Sequence, residues 1–177
     1  MRRRNYDFPG GGLEDKLAWV RIRDEGDKVT MSYKQNQNDG LHGTVEVNVG
    51  VDNFDSSSAF LEATGMKQKS YQETKRETWM LDDVEVTIDT WPWIPPFVEL
   101  EGKSEHEVKD VARKLGFDWS DALHGSVATV YQMHYDVAAD EVNAWDVITF
   151  QPVPAWLDKS RRSRRHGQVG IPATGTT

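Results

Sequence analysis

Apolar and polar residues alternate with a period of two through much of this chain, which predicts strands with one buried face. Residues 17–23 place Trp19, Arg21 and Arg23 on one face and Val20 and Ile22 on the other. The sequence Asp-Glu-Gly-Asp at 24–27 reads as a hairpin turn. The return strand, 28–34, sets Val29, Met31 and Tyr33 against Thr30, Ser32 and Lys34. A polar loop over 36–43 leads to 44–51, where Val45, Val47, Val49 and Val51 alternate with Thr44, Glu46 and Asn48. Residues 69–80 and 81–90 read as two further strands about a turn at Asp82-Asp83, with Val84, Val86 and Ile88 opposing Glu85, Thr87 and Asp89. An apolar stretch from Trp91 then runs into Glu99 and Glu101, two carboxylates that an extended chain puts on the same face.

The period lengthens to that of a helix in three places. Residues 53–63 are preceded by the cap candidates Asp52 and Asn53 and followed by Gly65. Ser104 and Glu107 form a capping-box pair ahead of Val108, Val111 and Leu115, and Gly116 ends that helix. Residues 126–135 predict a third helix, and 147–150 a short strand. Asp7-Phe-Pro-Gly-Gly-Gly is turn chemistry. The expected division is one domain over 1–154 and a loose basic tail over 155–177, with no internal repeat.

Composition narrows the function classes. The chain of 177 residues is long enough for one domain with a real core, and its seven tryptophans imply aromatic packing. No stretch approaches a membrane span. There is no cysteine, which excludes disulfides, thiolate metal sites and cysteine nucleophiles and fits a cytoplasmic protein. Net charge is −8, and five cations without an acid lie from Lys159 onward, so the preceding residues carry five more negative charges than the whole, −13. A body that acidic is a poor general nucleic-acid binder and needs cations, either metal or clustered Arg and Lys.

The polar faces of the strands are ionic and sorted. Arg21, Arg23, Lys34 and Arg76 are cationic; Glu46, Glu85, Asp89, Glu99 and Glu101 are anionic. A sheet packed on helices with a wetted outer face accounts for this pattern. So does a strongly curved or closed sheet whose charged face lines a channel. In the second case guanidinium and ammonium groups would bind phosphate oxygens, and paired carboxylates would hold Mg²⁺ or Mn²⁺.

Other motifs fall away. Glu101-Gly-Lys-Ser ends like a phosphate-binding loop, but Phe97 stands where the first glycine belongs, and Ser104 serves as a helix cap. His42, His106, His124, His134 and His166 show no metal spacing. Gly125-Ser126 lacks the nucleophile elbow. The basic run from Lys159 reads as a solvated tail.

Several pieces, in order, resemble the CYTH family of class IV adenylyl cyclases, thiamine triphosphatases and inorganic triphosphatases. They are Tyr6-Asp-Phe-Pro with Leu13, Trp19-Val-Arg-Ile-Arg, Met31-Ser-Tyr-Lys, Val45-Glu-Val-Asn-Val, Lys75-Arg-Glu-Thr-Trp, Val86-Thr-Ile-Asp-Thr-Trp-Pro and Phe97-Val-Glu-Leu-Glu. The resemblance implies an α+β fold: an antiparallel β-barrel or tunnel, helices outside, holding a triphosphate with divalent metal. It implies that Glu99 and Glu101 bind metal, that Arg21, Arg23, Lys34 and Arg76 bind phosphates, and that Glu46, Glu85 and Asp89 assist metal or water.

The chain departs from the family at two points. It shows no Glu-x-Glu-x-Lys first strand, so the tunnel is expected to be incomplete at its N-terminal side, with strand edges that favour a homodimer. Thr44, Glu46 and Asn48 stand where the family carries Arg-x-Glu-x-Glu. The reading is a triphosphatase. The alternatives are a cyclase making cyclic AMP from ATP, a non-catalytic polyphosphate- or nucleotide-binding module, and an acidic sheet protein whose charged face is only wet.

Overall fold

The structure, a computed structural model, describes residues 1–36, 44–162 and 171–175. In chain order the elements are β1 (Arg2–Asp7), β2 (Ala18–Asp24), β3 (Val29–Asn36), β4 (Thr44–Val51), α1 (Phe54–Ala63), β5 (Lys67–Glu73), β6 (Lys75–Leu81), β7 (Val84–Thr90) and β8 (Phe97–Gly102). Then come α2 (Glu105–Lys114), β9 (Ala122–Leu123), α3 (Val127–His134), α4 (Ala139–Asn143), β10 (Val147–Ile148), α5 (Ala155–Asp158) and β11 (Ile171–Gly175). The polar loop expected over 36–43 lies, past Asn36, outside the described residues, as do His42, His166 and the second half of the basic run. Among the described residues, no helix is long and apolar enough to cross a membrane.

Two compact units divide the chain: Met1–Thr74 with Ala144–Thr149, and Lys75–Asn143 with Phe150–Thr177. The first holds a six-stranded sheet in the order β10-β5-β1-β2-β3-β4, the second a five-stranded sheet in the order β6-β7-β8-β11-β9. Both are mainly antiparallel, with parallel pairing at β10, β9 and β11. The α+β class and the antiparallel strands are as expected. Of the barrel or tunnel, expected to be incomplete at its N-terminal side, no closed form is seen: among the described residues the ladders make two sheets, and neither order closes on itself.

In the first unit, α1 covers one sheet face. Asn53 caps it by accepting from the Ser56 N–H at 2.8 Å. Phe54 and Leu61 pack with Tyr6, Ile22 and Met66. Those residues alternate with the charged ones, so burying them turns Arg21 and Arg23 to the other face. The β2–β3 hairpin closes where Glu25 N–H donates to the Lys28 carbonyl at 2.9 Å, with Gly26 at φ 97°. In the second unit Val84, Val86 and Leu100 pack against Val108, Val111 and Ala112 of α2. Ser104 caps α2 by accepting from Glu107 N–H at 3.3 Å, the role expected in place of phosphate binding.

Four segments differ from the sequence expectation. Residues 2–7, of which only Asp7 entered the expected elements, as the start of a turn, form an inner strand of the first sheet. The strand expected over 69–80 is two strands that break at Thr74 and join different sheets, because Lys75 pairs with Thr90 of β7 while Glu73 pairs with Arg2 of β1. The apolar residues 91–96 are not strand. Trp93 turns there with φ 70°, its carbonyl accepting from Tyr135 Oη at 2.5 Å, and Tyr131 Oη donates to the Pro92 carbonyl at 2.8 Å. The segment past Pro154 begins with α5, whose Leu157 is fully buried.

Asp7 ties down the glycine-rich turn. Its carboxylate accepts from the N–H groups of Phe8 at 2.6 Å, Leu13 at 2.8 Å and Glu14 at 3.0 Å. Burial pushes its pKa up, but the three backbone donors outweigh burial and hold it below the ordinary 3.8. A lowered carboxylate pKa stabilises the fold above the unfolded value, and that contribution is lost as pH falls through the folded value. Asp7→Ala should therefore lower stability by about 2–4 kcal/mol at neutral pH, with a shallower loss below pH 3.8 than the parent, as read by urea unfolding across pH.

Candidate functional site

The candidate groups of the first unit share one sheet face. Arg21 stands opposite Ser32, Arg23 opposite Thr30 and Trp19 opposite Lys34, while Lys34 in turn is opposite Glu46. Their side chains are shielded: Arg21 is 12% exposed, Lys34 20% and Arg23 22%. Lys34 Nζ meets Glu46 Oε2 at 2.7 Å, and Arg21 Nη2 lies 3.9 Å from Glu46 Oε1. Arg23 Nε lies 3.2 Å from Glu25 Oε1. Ser32 Oγ donates to Asn48 Oδ1 at 2.5 Å, so Asn48 accepts a hydroxyl where the family carries a carboxylate.

Electrostatics follow from this crowding. Burial lowers the Lys34 pKa, Glu46 pushes it back up, and the Arg21 charge lowers it again, leaving it below 10.5. For Glu46, burial acts upward, but Lys34, Asn48 and Arg21 together hold the carboxyl below 4.5. Glu46 is thus an ionised counter-charge to a lysine that gives up its proton more readily than usual.

The second unit reverses the balance. Arg76 is opposite Asp89, Thr87 opposite Glu99 and Glu85 opposite Glu101, so four carboxylates and one guanidinium share a face. Arg76 grips Asp89 with Nε at 2.7 Å and Nη2 at 2.5 Å, and Nη2 also reaches Glu99 at 2.8 Å. Burial, only partly relieved by Arg76 and reinforced by Asp89 and Glu101, raises the Glu99 pKa above 4.5. Carboxylate oxygens are the donors that Mg²⁺ or Mn²⁺ takes. As the side chains stand, no group of three or more acidic or histidine ligands gathers closely enough for an ion among the described residues. Arg76 at present neutralises part of this carboxylate set.

Each expected site residue therefore lies on a polar sheet face: Arg21, Arg23, Lys34 and Glu46 in the first unit, Arg76, Glu85, Asp89, Glu99 and Glu101 in the second. The pairing of Lys34 with Glu46 and of Arg76 with Asp89 and Glu99 was not foreseen, because it depends on register. Arg3 and Asn5 were missed. They stand directly opposite Arg23 and Arg21 and share their face. The available signal was the parity of Arg2-Arg3-Arg4, legible only if those residues are taken as strand.

The CYTH domain profile matches residues 5–135. The chain belongs to the CYTH family. Among solved structures, a conserved hypothetical protein of Pyrococcus furiosus is similar at 20% identity and a TM-score of 0.51, covering 67% of this chain and 75% of that one. A protein of Pyrococcus horikoshii OT3 is similar at 20% identity and a TM-score of 0.51, covering 67% and 74%. At that identity the likeness speaks for the fold alone. A third, from Bacillus halodurans and provisionally named an adenylate cyclase, reaches a TM-score of 0.48 at 15% identity, covering 66% and 74%, and adds no weight. No curated protein matches the chain. The CYTH family includes triphosphatases and adenylyl cyclases and binds triphosphate substrates.

Two outcomes follow for this CYTH chain. Asp89 has a side chain only 2% exposed, so Arg76→Met would leave a buried carboxylate without its guanidinium. It should cost about 3 kcal/mol in urea unfolding, with part regained by adding Asp89→Asn. Glu46→Gln removes the contact that raises the Lys34 pKa. Lys34 should then titrate lower still and react faster than in the parent with an amine-acylating reagent near pH 8.

Proposed function

We propose that this CYTH chain is a metal-dependent enzyme that hydrolyses a triphosphate. One observation carries the reading. Arg21, Arg23 and Lys34 are brought side by side on a shielded sheet face, where a polyanion offsets their mutual repulsion. In this reading those three cations hold phosphate oxygens, the guanidiniums in two-pronged fashion and Lys34 as a point charge, and in the second unit Arg76 is a phosphate-binding cation. Glu99 and Glu101 hold Mg²⁺ or Mn²⁺, with Glu85 and Asp89 beside them. When bound, the metal supplies charge neutralisation to the phosphoryl group. Glu46 keeps Lys34 and Arg21 in place and orients or deprotonates the attacking water.

The reaction is displacement at phosphorus. Water adds its oxygen to the terminal phosphorus, the bridging P–O bond breaks, and the shortened chain leaves with the bond's electron pair. The arginines spread the charge that develops on the oxygens. The absence of cysteine agrees with a cytoplasmic setting.

The test combines binding and product analysis. Inorganic triphosphate with Mg²⁺ or Mn²⁺ should raise the melting temperature by mass action and be converted to pyrophosphate and phosphate. Arg21→Ala should weaken both by about tenfold or more, and Glu99→Gln with Glu101→Gln should abolish the metal dependence. Cyclic AMP from ATP would replace the hydrolase reading with a cyclase. Tight binding without turnover at any metal concentration would make the chain a binding module.

A further inference from the structure

We propose that a second copy of this chain joins the first sheet along the outer edge of β4, antiparallel and about a two-fold axis at Val47. The contact is separate from the triphosphate reading and does not depend on it.

β4 is the last strand of the six-stranded sheet and, among the described residues, pairs on one side only, with β3. Its eight residues run in unbroken register and include no proline, lysine or arginine. Such an edge is a template for another strand, and sheets that stay single blunt theirs with charge, proline, a bulge or brevity. The other sheet edges among the described residues are blunted in these ways. β10 and β9 are two residues long. β6 opens with Lys75, Arg76 and Glu77 in succession. Pairing two copies of β6 about its middle residue, Thr78, would set those charges opposite Leu81, Met80 and Trp79.

The surface beside the β4 edge is apolar. Cross-strand partners share a face, so Val49 opposite Met31 and Val51 opposite Val29 lie on the helix side. Val45 and Val47 follow by parity. α1 packs over β2 and β5, and the valines stay open: Val45 is 38% exposed, Val47 56% and Val49 44%. What singles out a second copy is that β4 is complementary to itself. A two-fold axis at Val47 sets Val47 against Val47, Val45 against Val49 and Glu46 against Asn48 of the other copy. Each of these valines then meets a valine, and the carboxylate meets an amide. An axis one residue earlier would oppose the two Glu46 carboxylates, which repel. An axis one residue later would set Glu46 against Gly50 and lose the amide. Glu46 is balanced inside its own chain by Lys34 Nζ at 2.7 Å, so joining the edges brings no uncancelled charge to the contact.

The experiment is sedimentation equilibrium of the full chain, with thermal unfolding as a check on folding. The parent should sediment as a dimer. Val47→Lys brings two ammonium groups together at the axis and should weaken association about tenfold or more. Val47 is more than half exposed in the single chain, so this variant should remain folded as a monomer. The chain has no cysteine, so introduced thiols report the register directly. On oxidation Val47→Cys should crosslink to its own copy, and Val45→Cys alone should not. Val45→Cys combined with Val49→Cys should crosslink, because only facing residues come within disulfide reach. If Val47→Lys fails to fold, the cysteine variants decide. A parent chain that is monomeric at about 0.1 mM overturns the proposal, even if it captures a foreign extended peptide on β4. So does a dimer that a folded Val47→Lys variant leaves intact, or one that crosslinks through Asn48→Cys and not through Val47→Cys. The triphosphate reading is tested separately and survives each of these results.

Discussion

Everything in this chain turns on cross-strand register. An antiparallel sheet that packs a helix on one face must commit every second residue to the other, and here those residues are ionised. Burying Tyr6, Ile22 and Phe54 obliges Arg21 and Arg23 to share the opposite face, just as burying Val84, Val86 and Leu100 obliges Glu85, Asp89 and Glu99 to do so. Core and site are therefore one decision made twice, once per unit. A slip of a single residue would exchange them.

Ionised groups held close in a shielded place need counter-charges, and the fold supplies them from its own strands. Lys34 is held by Glu46, and Arg76 by Asp89 and Glu99. Such pairs add little net stability, because desolvation cancels much of the attraction, but losing one partner is costly. Under the triphosphate reading these pairs have a second consequence. Phosphate must compete with Glu46 for Lys34 and with Asp89 for Arg76, and a metal must compete with Arg76 for Glu99.

Where the hydrophobic pattern was strict, the sequence was legible. Residues 44–51 alternate without fault and form β4, Asn53 and Ser104 cap the helices expected of them, and Asp82-Asp83 makes its turn. Of the candidate site, the facing of each charged residue could be read from parity. What pairs with what could not, because Lys34 meets Glu46 only through the β3–β4 register. β1 was missed for a physical reason: Arg2, Arg3 and Arg4 differ in role but not in polarity, so periodicity analysis sees nothing. The break at Thr74 was hidden because 69–80 keeps an extended pattern throughout while its hydrogen-bond partners change. The charge alternation was equally compatible with a wetted sheet and with a curved or closed one, and among the described residues the ladders form two sheets. In the segment read as tail, a single leucine, Leu157, decides that the chain packs there.

The tip of the β6–β7 hairpin has a consequence of its own. Asp82 and Asp83 both adopt left-handed backbone, at φ 51° and 62°, in a two-residue connection that sets Leu81 opposite Val84. That geometry fixes the parity of everything downstream on β7, including Thr87 and Asp89. The turn thus acts as a reading frame for the strand. Lengthening the chain by one residue between Asp83 and Asp89 would send Asp89 into the apolar side and Ile88 toward Arg76, whereas adding two would preserve the sides and only lengthen the hairpin. Change in the length of this hairpin is therefore constrained to even steps, a rule set by backbone geometry before any question of substrate arises.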